Sequence, residues 1–265
     1  MSWAFAIASI CVMVCVVPLT IDTVGIYQYV NKEQPDFPWP KFSDIWMSVA
    51  ASGVMMFTSR FFEMIFYHPC SLIVKDQHNP ELKQHQTRKA AKYLYLFFFT
   101  TFMVLYGWTI LKNTNWLPWY LGGSGSFENV YNELPYIVPV QGALFYSYVQ
   151  TGYRLCELLS HLFLEIPSND FYESLLHHCC ALFLNVTMIY TNFLGIGSII
   201  NFLHDISEVL AHASKFFSAT EYTNALVGCF LSNMVVWFYT RNMVFTYLVY
   251  KIWTEVRLTN EVATF

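Results

Sequence analysis

The chain has 265 residues, of which 12% are charged and 19% aromatic, with a formal net charge of −4 and a mean hydropathy of +0.39. A soluble domain of this size carries about 25% charged residues, so a fully hydrated surface is excluded and an integral membrane protein with several spans is expected. The formal charge of −4 argues against a nucleic-acid partner, whose binding surface would be basic.

A helix needs about 20 mostly apolar residues to cross the hydrocarbon layer, and seven stretches qualify. The first, Trp3–Ile21, has no basic n-region and reads as a retained span. The second, Ile45–Tyr67, contains Arg60 and Glu63, and the third is Tyr93–Leu111. The fourth, Tyr136–Leu164, contains Arg154 and Glu157. The fifth, Ser174–Leu194, carries His177 and His178; the sixth is Ile196–Phe217; the seventh, Ala225–Trp253, contains Arg241. This predicts an all-α, multi-pass protein: an N-terminal span and connector over 1–44, a membrane domain over 45–253 and a polar tail over 254–265. Polar connectors are expected at Asn31–Lys41, Lys75–Lys89 and Trp119–Pro135, and a short "GIG" link at Gly195–Gly197 makes the fifth and sixth spans antiparallel neighbours. Trp39, Trp46, Trp116, Trp119 and Tyr120 lie near span ends, where aromatic belts form. The Cys residues are scattered through apolar runs without a CxxC and read as small packing residues with free thiols.

Ionisable side chains within a span cost roughly 2.5–3.5 kcal/mol each on insertion scales, so they face partners or cavities. Arg60/Glu63 and Arg154/Glu157 are three residues apart, and each pair can close on one helix face. The sixth span is different. Asn201, His204, Asp205, Glu208, His212 and Lys215 are too many for one salt bridge. At 100° per residue, positions 204, 208, 212 and 215 fall within about 80° of one another. Asp205 and Asn201 flank that stripe, and Ile199, Leu203, Ile206 and Leu210 form an apolar back expected to face outward. On the fifth span His177 and His178 diverge by about 100°, so one of them can point squarely at a shared cavity.

These residues fit three chemistries. In an acyl-transfer site imidazole acts as nucleophile or general base and a carboxylate such as Asp205 orients it. In a metal site imidazoles and carboxylates suit iron or zinc, but helical ligands are usually three or four residues apart, whereas His204 and His212 are eight apart; no metal site is expected. In the third case the polar groups satisfy one another and no chemistry follows.

"NDFYESLLHH" followed by "TNFLGIGSIINFLHDISEVLAHASK" resembles the signature of TLC-domain proteins, particularly ceramide synthases. Asp170-Phe171 precede the His pair in that family's register, and Asn192, Gly197, His204, Asp205 and Lys215 match its later positions. "WFYTR" (Trp237–Arg241) and Arg60, Glu63 and Pro69 resemble its flanking elements. The resemblance implies a six-helix membrane barrel, here preceded by one extra span. It implies acyl-CoA-dependent N-acylation of a sphingoid-type base, with acyl-CoA as co-substrate and no tightly bound cofactor. His177, His178, His204 and Asp205 would be catalytic, and Asn192, Asn201, Glu208, His212 and Lys215 would line the substrate site. Four positions depart from the pattern: Glu208, His212, Gly195 and Ala181 stand where the family has Asp, Glu, Arg and Thr. Asp to Glu adds a methylene to a site that tolerates little displacement, and losing an Arg removes a phosphate-suited donor. These departures keep a non-catalytic alternative open, a lipid-binding or structural subunit of a larger membrane complex, with membrane lipids and other membrane subunits as partners. The resemblance implies the endoplasmic reticulum; the residues themselves leave another organelle membrane, such as the mitochondrial inner membrane, open.

Overall fold

The computed structural model describes Thr20, Val24, Gly25, Tyr27, Gln28 and residues 40–75, 79–130, 138, 140, 142–164, 171–252 and 254. The predicted first span lies outside these residues except for Thr20. Among the described residues the fold is all-α: α1 Trp46–Ile73, α2 Pro80–Leu111, α3 Ala143–Phe163, α4 Phe171–Tyr190, α5 Leu194–Ser218 and α6 Thr223–Trp237. A π-helical segment, Phe238–Val244, follows α6 directly.

The distribution of polarity is inverted relative to a water-soluble protein. Phe57, Met64, Leu72 and Val235 are each at least 70% exposed, whereas Gln150, Arg154 and Asp205 are each no more than 5% exposed. An outside this apolar has lipid as its solvent, and polar groups turned inward find protein partners. The molecule is therefore an integral membrane protein. Phe42–Ile73, Pro80–Leu111 and Leu194–Ser218 are long and apolar enough to cross a bilayer on their own composition. α3 and α4 carry more polar side chains, and the α-helical part of α6 has only 15 residues before the π segment.

Local chemistry fixes the helix ends, and in three places it corrects the sequence reading. Lys75–Lys89 is not a loop throughout: the Asn79 side chain accepts the Glu81 N–H at 2.9 Å and Pro80 opens α2, a helix start by side-chain capping with Pro in the first turn. "GIG" is not a link, because Gly195 and Gly197 lie inside α5. The turn is Thr191–Phe193. Phe193 N–H reaches Met188 O at 2.9 Å, Asn192 N–H reaches Ile189 O at 3.1 Å, and Asn192 has φ 58°. This is a Schellman termination with Asn at the left-handed position. Gly197 then passes so close that a Cβ would lie 2.8 Å from Met188 Sδ. Thirdly, the back of α5 does not face outward, since Ile199 and Leu203 are fully buried. α5 is packed on its apolar side as well as its polar one.

The chain divides into two compact units, Met1–Met56 with Asn132–Ser198 and Phe57–Tyr131 with Ile199–Phe265. In the first, α3 crosses the start of α1 at Gly152, where a Cβ would lie 2.7 Å from both Ala51 Cβ and Ser48 O. Tyr148, Ile189, Tyr190 and Leu194 form its buried apolar cluster. In the second, Cys70, Val74, Ala90, Ala91 and Ala219 join the end of α1, the first turns of α2 and the end of α5. Val74 also bridges Thr220, and Lys75 N–H reaches Ala219 O at 3.2 Å. The segment after α2 is folded rather than loose. It holds short 3₁₀ turns at Trp119–Leu121 and Phe127–Val130, with Trp116, Leu117, Phe127 and Val130 buried.

Candidate functional site

The sequence-predicted residues fall into two groups, one in each unit. The first group is on α3 and α4. His177 is exposed and His178 half-buried, as the 100° divergence of adjacent helical residues requires. The ring of His178 lies 5.4 Å from that of His161, a buried histidine of α3 absent from the sequence reading. His161 stacks on Phe171 at 4.5 Å, and its Nε2 is 2.9 Å from the Phe171 carbonyl oxygen. A carbonyl only accepts, so Nε2 carries the proton. That bond ties the first turn of α4 to α3, directly below the His pair. Arg154 and Glu157 pair at 2.8 Å on α3, closing on one helix face as the spacing predicts; in the second unit Arg60 and Glu63 do the same on α1 at 3.1 Å. Asn192 supplies the backbone turn before α5 and is buried.

The second group runs along α5. His204 Nδ1 is 2.8 Å from its own-helix carbonyl at Ile200. Nδ1 is therefore the protonated nitrogen, and the lone pair of the neutral ring is on Nε2. Phe245 meets this ring edge-on at 5.8 Å. The group that holds His204 by Nδ1 is thus a backbone carbonyl. Asp205 is 1% exposed and Asn201 6%; a carboxylate at that depth must be hydrogen-bonded or neutral.

One turn further on, Ser207 donates to His204 O at 2.8 Å. Its single proton is thereby used, and it accepts from Arg241 Nε at 3.3 Å. The same guanidinium reaches Glu208 with Nη2 at 3.9 Å, an ion pair too long to be a hydrogen bond. Arg241 belongs to the π segment. Such a turn widens the helix by one residue and re-aims its side chains, and it recurs at functional sites. His212 is buried with Nδ1 3.4 Å from Thr100 Oγ1. Thr100 donates to Leu96 O at 2.8 Å, so toward His212 it can only accept. Tyr93 stacks on His212 at 6.1 Å, and Lys215 lies over the other end of that contact, 5.2 Å from the Tyr93 ring.

All six polar residues of α5 thus have identified neighbours or are buried; Thr100, Tyr93 and His161 were not among the expected site residues, and Arg241 was noted in the seventh span without its partners Ser207 and Glu208. Arg241 had a signal, a lone cation in an apolar run that needed an anion. Among the described residues no three His, Cys, Asp or Glu side chains converge in a way that could hold a metal ion.

A helical membrane chain with paired histidines on one helix and a His-Asp pair on the next defines a class. Residues 89–263 match the TLC domain family, more than half of the chain, and the protein belongs to that family. Its relatives include ceramide synthase hyl-2 of Caenorhabditis elegans, 21% identical over 236 residues, which is 86% of this chain and 69% of the relative. Ceramide synthase hyl-1 of the same organism is 25% identical over 62% of this chain. Human ceramide synthase 4 is 29% identical over 68%. The chain spans only 43% of the length of each of these last two.

Proposed function

We propose that the protein is an acyl-CoA-dependent N-acyltransferase of sphingoid-type lipids. The observation that carries this reading is the match of residues 89–263 to the TLC domain, with ceramide synthases among the relatives; His204, with Nδ1 2.8 Å from Ile200 O on a helix rich in polar groups, supplies the imidazole. In the reaction the amine nitrogen attacks the thioester carbonyl, the new C–N bond forms and the C–S bond breaks. His204 Nε2 takes the amine proton and returns it to the departing thiolate. His177 or His178 serves instead if the acyl group is first carried on imidazole. The Ile200 carbonyl orients the base, and Asn201, Asp205, Glu208, His212 and Lys215 on the same helix contact the substrates. Positioned general-base catalysis contributes roughly 10²–10⁴-fold. An endoplasmic reticulum location goes with this reading, and membrane fractionation checks it.

The test is amide formation by the purified protein from a long-chain base and a long-chain acyl-CoA, followed by mass spectrometry. The expected result is product with wild type and a loss of at least a hundredfold with His204→Ala. The reading fails if no long-chain base yields product and wild type equals His204→Ala and His178→Ala.

A specific observation favours a second reading. Ser207 and Glu208 meet Arg241, and His212 meets Thr100 and Tyr93, so much of the polar face of α5 is engaged by the protein itself. On this reading the protein is a non-catalytic, lipid-binding or structural subunit of a membrane complex. It predicts co-purification with other membrane subunits at fixed stoichiometry and no turnover.

A further inference from the structure

The basic residues at the start of α2 are used by neither reading. α2 has 32 residues, about 48 Å of helix at 1.5 Å per residue, against a hydrocarbon layer of about 30 Å. Tyr93–Leu111 alone is apolar and long enough to fill that layer. The turns from Pro80 to Lys92 therefore stand in the headgroup and aqueous region. They carry Lys83, Arg88, Lys89 and Lys92, with Glu81 the one carboxylate among them.

These charges crowd one another. Arg88 and Lys92 are four apart, and Lys89 and Lys92 three apart, spacings at which like charges destabilise a helix. No carboxylate stands three or four positions from Arg88, Lys89 or Lys215 in the sequence. Tertiary packing then adds another cation. Ala90 and Ala91 sit in the buried cluster with Ala219, which brings the end of α5 against these turns and sets Lys215 Nζ over the Tyr93 ring at 5.2 Å. Lys89 lies one turn before Tyr93 on the same face. Lys75 joins the same end through its backbone bond to Ala219. Arg88, Lys89 and Lys215 are all exposed, and the nearest acidic residue beyond α5 is Glu221. The fold sets Lys215 over the Tyr93 ring, and Lys89 precedes that ring by one turn on the same helix face; cations so placed at headgroup depth are completed by an anion.

We propose that Lys89 and Lys215, flanking Tyr93 with Arg88 at the rim, form a binding site for a phosphate group. The ligand chemistry is a phosphate ester, from an anionic phospholipid headgroup or from a soluble nucleotide such as coenzyme A. The coenzyme A arm rests on the acyltransferase reading, which also gives Lys215 to the substrates; the phospholipid arm does not, so the two can fail separately.

The test uses the full chain in an uncharged detergent. Thermal stabilisation is titrated with coenzyme A in one arm and phosphatidylglycerol in the other, with phosphatidylcholine as the zwitterionic reference. At least one arm is expected to stabilise wild type, with an apparent affinity roughly tenfold or more above that of Lys89→Gln/Lys215→Gln. Added salt should weaken the effect. Lys89→Arg/Lys215→Arg should retain it, and Lys112→Gln, the same charge change beyond the other end of α2, should leave it unchanged. Response to coenzyme A alone identifies a soluble phosphate, and response to phosphatidylglycerol alone a lipid one. The proposal is overturned if neither probe separates wild type from the double Gln variant, or if Lys112→Gln loses as much.

Discussion

Replacing Gly152 by Ala tests the helix crossing on which the first unit depends. The added Cβ would lie 2.7 Å from Ala51 Cβ, 2.7 Å from Ser48 O and 3.1 Å from Ser52 N. Two of these atoms are backbone and cannot rotate away, and carbon atoms pack at about 3.5–4.0 Å. α1 and α3 must therefore part by about 1 Å at their closest point. Overpacking of this kind costs about 1–3 kcal/mol, offset by the roughly 1 kcal/mol that Ala gains over Gly within a helix. The expected net loss is up to about 2 kcal/mol. Gly53→Ala is the matched control: it lies on α1 in the same unit, and nothing is within 4 Å of its Cβ, so only the propensity gain applies. The assay is unfolding in mixed detergent micelles with a rising fraction of denaturing detergent, followed by far-ultraviolet circular dichroism. Gly152→Ala should unfold at lower denaturant than wild type and Gly53→Ala at equal or higher. If both variants shift in the same direction by the same amount, close packing at this crossing does not limit stability and the argument is wrong.

Arg241→Ala should lower stability, and Arg241→Ala combined with Glu208→Gln should recover part of it; a double-mutant cycle is expected to give a coupling of about 0.5–1 kcal/mol, and zero coupling would remove the ion pair from the account. His161→Phe keeps the ring but leaves the Phe171 carbonyl without its 2.9 Å donor. Losing that bond should cost about 1 kcal/mol and increase hydrogen exchange in the first turn of α4 selectively, and uniform exchange along the helix would refute the tie. Gly125→Ala drives a Cβ into the backbone of Asn115, so limited proteolysis should cut the 112–130 segment in the variant and spare it in wild type.

What could be read from sequence was what depends on neighbours along the chain. Apolar run lengths gave the helices, and spacings of three and four residues gave the Arg60–Glu63 and Arg154–Glu157 pairs and the polar stripe of α5. Helix ends were read less well. The polar turns at the start of α2 looked like loop because they lie outside the bilayer, where a helix need not be apolar. The glycines of "GIG" looked like a link because Gly is common in turns, whereas Asn192 takes the left-handed position and Gly197 serves the approach to Met188.

Composition and local spacing by themselves determined that this is an all-α membrane protein, and which helix carries the polar residues, because burial in lipid and helical periodicity act residue by residue; the TLC type came from the resemblance of its two signature stretches. Tertiary structure alone decided which groups those residues meet. Thr100 reaches His212 across 112 positions and Arg241 reaches Ser207 across 34, and the π turn that aims Arg241 is a change of backbone bonding with no residue type of its own. Lys215 likewise lies over Tyr93 only because α2 and α5 pack through Ala90, Ala91 and Ala219. Contacts between distant segments depend on helix crossing and register, and those follow from the shapes of the packed surfaces rather than from any one stretch of sequence.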